Sequence, residues 1–352
     1  MDIREAQIAK RYTSVNKLIK TKRKTSQRQE NENCSVEILE TNVNIVSLFS
    51  GAGGLDLGLI KAGNTVIWAN DIDEDATTTY VNNIGEHIVC DDIKNINLND
   101  IPEADVIVGG FPCQGFSQAN LLRKIEDERN QLYKFFYKTV KSKQPKFFIA
   151  ENVRGILSLG NGSVIKQIVS DFKNAGYIVT VTLVNMANYG IPQTRQRVFI
   201  IGQHKDLGEE MHFKLPEETH GKDGKPRSWV SIKTALNHYP DPDKPNKYLN
   251  HIYSSYKVEY RNFTGHRASD PDKPSPTILA RGNGKGGVCA IPHYNGKRRL
   301  TIRESATIQT FPENFNFFGH MNSCYRQIGN AVPVLFANLL GKELVRLGRD
   351  LL

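Results

Sequence analysis

The sequence predicts an α/β protein: a mainly parallel sheet covered on both faces by helices, joined to a smaller, irregular second lobe. Three observations predict it. From Asn44 onward, short runs of β-branched and aromatic residues alternate with longer amphipathic stretches, the pattern of repeated strand–helix–strand units. The first run passes into a glycine turn that opens a helix, 47-SLFSGAGGLDLGL-59. After about residue 203 the periodicity gives way to prolines, lysines and glycines, as in 240-PDPDKPNK-247 and 281-RGNGKGG-287.

The elements follow in order. Residues 1–42 are polar and basic, with Lys20, Lys22, Arg23, Lys24 and Arg28 close together, and form an arm outside the main fold. Strands are predicted at 44–49, 65–70, 87–90, 105–110, 146–152, 177–184 and 197–202, and helices near 54–62, 74–83, 130–143 and 163–175. Regular structure returns at 301–311 and in a helix over 332–347. The expected organisation is therefore a main domain over 43–202, an irregular lobe over 203–300, and a C-terminal segment, 301–352, that completes the main domain. No internal repeat is visible.

At 352 residues the chain is long enough for two lobes, and its formal charge of +9 points to a polyanionic partner. The arm is then either a solvated extension or an extra grip on that partner. Cys34, Cys90, Cys113, Cys289 and Cys324 are scattered and odd in number, which disfavours a disulfide framework or a cysteine-rich metal site; no metal is expected. No apolar run approaches the length of a membrane span and no signal peptide is evident, so a soluble, cytoplasmic protein is expected.

Two stretches carry chemistry. In 109-GGFPCQGFSQAN-120, Cys113 sits behind a proline in a glycine-flanked turn after a strand, where open α/β sheets place reactive groups. A thiol there is presented rather than packed. In the glycine turn, Asp56 stands where the nicotinamide fingerprint needs its third glycine. A carboxylate in that first helical turn repels a pyrophosphate but tolerates a ligand bearing a sulfonium and an amino acid. Asp71 ends the second strand, where an acid holds ribose hydroxyls, and Asp92 ends the third, where it accepts from an adenine amino group. The set suits S-adenosylmethionine. For each acid taken singly, helix capping is the alternative.

These residues resemble the motifs of bacterial DNA (cytosine-5)-methyltransferases. FSGAGG at 49–54 is similar to the family's first motif, GGFPCQGFS at 109–117 to its nucleophile loop, and ENV at 151–153 to its catalytic acid. QTRQRVFIIG at 193–202, RESATIQTFP at 303–312 and QIGNAVP at 327–333 resemble three later motifs, in the family's order. The likeness runs from Val46 to the C-terminus except for the lobe at 203–300. It implies a Rossmann-like sheet of the S-adenosylmethionine-dependent methyltransferase type, with that lobe as target-recognition domain. It implies a cofactor site of Phe49, Gly51, Gly53, Leu55, Asp71, Ile72, Asp92, Ile93, Pro112, Leu132, Asn330 and Val332, with Ile72 where the family often has an aromatic ring. It further implies that Cys113 adds to carbon 6 of a flipped cytosine, that Glu151 protonates N3, and that Arg195 bonds O2. Arg195 and Arg197 are candidates to favour the thiolate.

Double-stranded DNA is the expected partner, with Gln114, Ser117 and Thr277 at the flipped base or its backbone and Arg281 and Lys285 as base or backbone readers. A monomer is expected, compatible with a separately acting restriction endonuclease. The alternatives are the same chemistry on transfer RNA, a DNA-binding relative without catalysis, and a hydride-transferring oxidoreductase. The large basic lobe and the FS after PCQG favour DNA. The intact Cys113, Glu151 and FSGAGG argue for catalysis.

Overall fold

Regular structure begins with β1 (Asn44–Leu48), α1 (Gly54–Lys61), β2 (Thr65–Asp71), α2 (Glu74–Asn83), β3 (Ile88–Cys90) and β4 (Val106–Gly109). It continues with α3 (Gln131–Lys143), β5 (Phe147–Val153), α4 (Ser163–Asn174), β6 (Tyr177–Asn185), the two-residue β7 (Gln193–Thr194) and β8 (Gln196–His204). Then come α5 (Ile232–Leu236), β9 (Ser275–Pro276), α6 (Ile302–Ile308), α7 (Met321–Asn330) and α8 (Val334–Asp350). The computed structural model describes residues 43–111, 131–208, 211–254, 269–280 and 291–350. The basic arm, Pro112, Cys113, Gln114, Ser117, Arg281 and Lys285 lie outside the described residues.

Seven strands form one sheet in the order β3-β2-β1-β4-β5-β8-β6. β1 to β5 pair in parallel, and β8 runs antiparallel between β5 and β6. The central strands β1, β4, β5 and β8 are buried on both faces and mostly apolar, their side chains alternating between two cores, while the edge strands β3 and β6 are partly exposed. Ile45, Val106, Val108, Phe147, Ile149, Phe199 and Ile201 face the core that holds α1 and α8. Val46, Leu48, Ile107, Phe148, Ala150, Val198 and Ile200 face the core that holds α3 and α4.

The C-terminal helix α8 packs on α1, and two glycines of the opening motif make this possible. A Cβ at Gly54 would lie 2.6 Å from the Val332 carbonyl oxygen, and one at Gly58 only 2.3 Å from the Ala337 Cβ. The spacing that reads as a ligand turn therefore also serves helix packing.

A third core gathers Ile232, Leu236, Ile278, Leu300, Ile302, Ala306, Ile308, Phe311, Phe315, Phe317, Cys324 and Ile328. The segment over 301–330 is thus built together with the second lobe, while α8 joins the sheet. At the other boundary, Phe213 still packs in the sheet's first core, 6.2 Å from the Phe147 ring. The residues just past 203 therefore still contribute to the sheet's core without regular structure of their own.

Contrary to the sequence reading, Met321–Arg349 reaches the length and mean hydropathy of a membrane span. It comprises two helices, α7 and α8, and 61% of its most apolar window is buried inside the protein. Its apolar residues belong to the cores just described.

Gly58→Val is expected to destabilise the fold by about 1–3 kcal/mol, as overpacking does. At Gly155, where a Cβ would meet nothing within 4 Å, alanine should leave the melting temperature almost unchanged. Thermal melting of both variants checks this.

Candidate active site

Strand register aligns the candidate residues along one edge. Leu48 pairs with Asn70 on one side and Gly109 on the other, Asp71 pairs with Cys90, and Gly109 pairs with Ala150. The turn after β1, Asp71, Asp92, the exit of β4 and Glu151 therefore lie on the carboxyl edge of the sheet. The order reverses between β1 and β4, the switch point where open sheets bind ligands.

The turn after β1 is strained. Phe49 adopts a left-handed φ of 58°, a conformation that costs a non-glycine residue about 1–3 kcal/mol. Gly51 follows at 56°, and a Cβ there would meet no atom within 4 Å, so the space beside it is open. The Ser50 hydroxyl folds back, donating to the Ser47 carbonyl at 3.1 Å and lying 3.0 Å from the Ser47 Oγ. No side chain caps α1, which leaves its first-turn N–H groups for an anionic ligand group.

The acids differ from one another. Asp71 accepts from the Gly51 N–H at 2.7 Å and the Asp73 N–H at 2.9 Å, bracing the glycine turn from the next strand. Burial raises its pKa, opposed by those backbone bonds. Asp92 accepts from the Lys94 N–H at 3.1 Å, so the capping role is present at this position. Between Asp71 and Asp73, Ile72 is 65% exposed at the end of β2. Ile93 and Val332 are buried, Leu55 is buried in the first core, Leu132 is partly buried, and Asn330 is exposed at the end of α7.

Asp56 departs from expectation. It faces inward, fully buried, accepting from the Ser47 hydroxyl at 2.7 Å and the Tyr80 hydroxyl at 2.8 Å. Its position on the third helical residue turns the side chain toward β1 and α2, so direct repulsion of a pyrophosphate is not how it acts.

Glu151 is 8% exposed near the end of β5, and Arg197 Nε lies 2.8 Å from its Oε1. A Cβ on Gly110 would lie 3.2 Å from Glu151 Oε2, so the chain leaving β4 passes over this carboxylate. The next residue, Asn152, donates through Nδ2 to the Phe111 carbonyl at 3.0 Å. That bond anchors the backbone two residues before Cys113.

Arg195 is differently employed from the sequence reading. Fully buried, it donates through Nη1 to the Ile278 carbonyl at 3.0 Å and through Nη2 to the Gly329 carbonyl at 2.9 Å. Burial, then the neighbouring Arg197, pushes its pKa down to about 9. It is Arg197 that touches Glu151, and burial lowers its pKa against the opposing pull of that carboxylate.

The same interface holds Thr277, whose hydroxyl donates to the Thr194 carbonyl at 2.9 Å beside the β7–β9 pairing. Gln193 Oε1 accepts from the Ile278 N–H at 2.9 Å, and Gln193 Nε2 donates to Gln309 Oε1 at 2.9 Å. Gln309 in turn donates to the Ile328 and Ala331 carbonyls. Sequence reasoning missed Gln193, Gln309 and Asn152 as site-building residues. All three lie within the quoted motifs, but their partners are distant in the chain.

A family model described as C-5 cytosine-specific DNA methylase matches residues 43–346. The chain belongs to that family. It is 39% identical to the Type II methyltransferase M.NgoFVII of Neisseria gonorrhoeae, covering 87% of each chain. It is 36% identical to M.FnuDI of Fusobacterium nucleatum, covering 85% of this chain and 93% of the relative. Its structure is similar to that of a DNA modification methyltransferase encoded within an Escherichia coli prophage, with a TM-score of 0.66 at 27% identity, covering 87% of this chain and 99% of the other. It shares its fold with the S. pombe Dnmt2 methyltransferase, with a TM-score of 0.63 at 20% identity over 88% of this chain and 99% of that one.

The protein is therefore an enzyme that transfers a methyl group from S-adenosylmethionine to carbon 5 of cytosine in nucleic acid. The chain's own residues fit the donor: a strained turn with open space at Gly51, uncapped N–H groups on α1 for a carboxylate, and Asp71 and Ile72 at the second strand's end.

The two arginines should separate by stability. Arg195→Met removes two charge-assisted bonds from a fully buried guanidinium to carbonyls of distant segments, each worth about 1.5–3 kcal/mol, whereas Arg197, 9% exposed, loses its contact to Glu151 and a bond to the carbonyl of its own neighbour Gln196. Urea denaturation is expected to show the larger loss for Arg195→Met.

Proposed function

We propose that this enzyme methylates a cytosine within a specific sequence of double-stranded DNA, flipping the base and attacking it through Cys113. The observation that carries the reading is the anchoring of Phe111 by Asn152 beside Glu151, so that the segment bearing the thiol departs from above an acid held against an arginine. A target base stacked in duplex cannot meet such groups and must leave the helix, at about a few kcal/mol. The Type II relatives support DNA as the polymer.

Carbon 5 of cytosine is a poor nucleophile. A Cys113 thiolate adding at carbon 6 forms a C–S bond and moves the ring's electrons toward N3 and carbon 5. Glu151 donates the proton taken up at N3, and Arg197 stabilises the carboxylate left behind. With the Nη groups of Arg195 committed to Ile278 and Gly329, the donor to O2 is either Arg197, beside Glu151, or the buried Nε of Arg195, which has no partner among the described residues. The bound cofactor supplies an electrophilic methyl group. Loss of the carbon 5 proton to water and expulsion of the thiolate then restore the aromatic ring, and N3 returns its proton to Glu151. Thr277 and the basic second lobe hold the DNA backbone, with Arg281 and Lys285 as readers, and phosphate contacts supply most of the affinity.

Duplex DNA carrying 5-fluorocytosine at the target tests this, because fluorine cannot leave as a cation and the adduct persists. The adduct should survive denaturing electrophoresis, carry the methyl group and map to the peptide containing Cys113; Cys113→Ser should abolish it. An adduct at another cysteine, or on RNA alone, refutes the assignment. Glu151→Gln should lower kcat by roughly 10²–10⁴-fold while DNA affinity changes far less. Equal losses in single-turnover rate and in filter-binding affinity would make Glu151 a structural residue.

A further inference from the structure

Gln309 is wholly buried just past α6, and its side chain is committed to three other segments. Its Oε1 accepts from Gln193 Nε2 at 2.9 Å, and its Nε2 donates to the Ile328 carbonyl at 2.7 Å and the Ala331 carbonyl at 3.1 Å. Gln193, also wholly buried, accepts the Ile278 N–H through Oε1 at 2.9 Å. The two amides form a line with a single direction, from the Ile278 N–H through Gln193 and Gln309 to carbonyls around the end of α7. Turning either amide over sets oxygen against oxygen and N–H against N–H, so the line has one register.

Its ends belong to different walls of the site. At one end, Ile278 follows Thr277, and the strand of Gln193 leads into Arg195 and then Arg197, which touches Glu151. That wall meets the base. At the other end, Gln309 grips the chain on both sides of Val332 and Pro333: its side chain holds the Ala331 carbonyl, and its own carbonyl accepts from the Val334 N–H at 3.2 Å. Ala331 and Val332 press on the helix that opens from the ligand turn. A Cβ at Gly54 would lie 3.0 Å from the Ala331 Cβ and 2.6 Å from the Val332 carbonyl oxygen. That wall meets the methyl donor. Arg195 ties the walls at Gly329, within α7, and Gln309 carries the tie beyond the end of that helix.

We propose that Gln309 is a positioning residue that sets the methyl donor against the base, and so governs methyl transfer without governing the attack on the ring. The inference rests on S-adenosylmethionine at the ligand turn and on attack through Cys113. Transfer joins atoms held on the two walls, and a misplacement of about 1 Å costs such a step about 10²-fold. Attack on carbon 6 uses groups carried by the sheet's own edge: Cys113, whose segment Asn152 anchors, and Glu151 with Arg197. Arg195 still holds the Ile278 carbonyl when Gln309 is changed.

The two steps can be measured apart, because the enamine left by thiolate addition has two fates. It takes the methyl group at carbon 5, or it takes a proton from water there. In the second case, loss of the original carbon 5 hydrogen and of the thiolate returns cytosine with its hydrogen exchanged. On duplex DNA tritiated at carbon 5 of cytosine, tritium released without cofactor reports attack. Methyl incorporation in a single turnover at saturating S-adenosylmethionine reports transfer.

Gln309→Met keeps the length of the side chain and loses its bonds; it should slow methyl transfer by about 10–10²-fold while exchange changes by less than about threefold. Gln193→Met breaks the same line from the other side and should give the same split, an arm that stands if Gln309→Met fails to fold. The double variant should be no slower than the slower single variant, as for two residues acting as one unit. Leu236→Ala, which opens a cavity in the third core away from the line, should leave the ratio of the two rates as in the wild type. A proportional fall in both rates, transfer at the wild-type rate in either variant, or a double variant slowed by the product of the single effects overturns the proposal. Tritium retained by the wild type would instead overturn attack through Cys113, and a wild type that exchanges but incorporates no methyl group would overturn the cofactor assignment.

Discussion

The Arg195 guanidinium is the joint on which the site depends. It reaches the Ile278 carbonyl beyond β9 and the Gly329 carbonyl near the end of α7, while Gln193 on the same short strand reaches the Ile278 N–H and Gln309. Three segments far apart in sequence are thereby closed around one buried polar network, in which these backbone groups find partners. Such a network is stable only as a whole, because an unpaired buried donor or acceptor costs about 1–3 kcal/mol. The consequence for function is placement. Thr277 on the second lobe, Arg197 on the sheet and Asn330 at the end of α7 all lie within a few residues of this joint.

The second constraint is the close approach of α1 and α8. Gly54 and Gly58 remove the side chains that would hold the helices apart, and this approach sets the direction of the ligand turn. A polar seam continues it on the α2 side. The Thr79 hydroxyl donates to Gln327 Oε1 at 2.7 Å, Asn83 and the Asn316 backbone exchange two bonds, and Arg326 Nη2 lies 2.7 Å from Asp73. The α2 region of the sheet is therefore tied to the segment over 316–327 by side-chain bonds.

The charges of the crevice are mostly negative. Asp71 is half-buried and braced by two backbone N–H groups, and Asp56 lies behind the turn among hydroxyls. On the other side of the switch point Glu151 is paired with Arg197. One edge of the sheet thus carries two carboxylates without a bonded cation among the described residues on one side of the switch point and an acid–arginine pair on the other.

The alternation of strands and helices, the fold class and the order of motifs were legible in the sequence, because they rest on local periodicity and on glycines whose need is local. Six of the quoted motifs announced the family, and the strand predictions from Asn44 to Gly202 fell on observed strands. The helix over 321–330 was not predicted, nor was the β7–β9 pairing, which joins residues about eighty positions apart. Of two residues of one motif, Arg195 was expected to bond O2, and both Arg195 and Arg197 to favour the thiolate. Only the tertiary structure separated them, since one guanidinium meets carbonyls from distant segments and the other meets Glu151. Asp56 likewise read as a residue of the ligand turn, and its inward direction was decided by Tyr80, twenty-four positions away. Periodicity records which face of an element is apolar; the partner of a buried polar group depends on which chain segments the fold brings together.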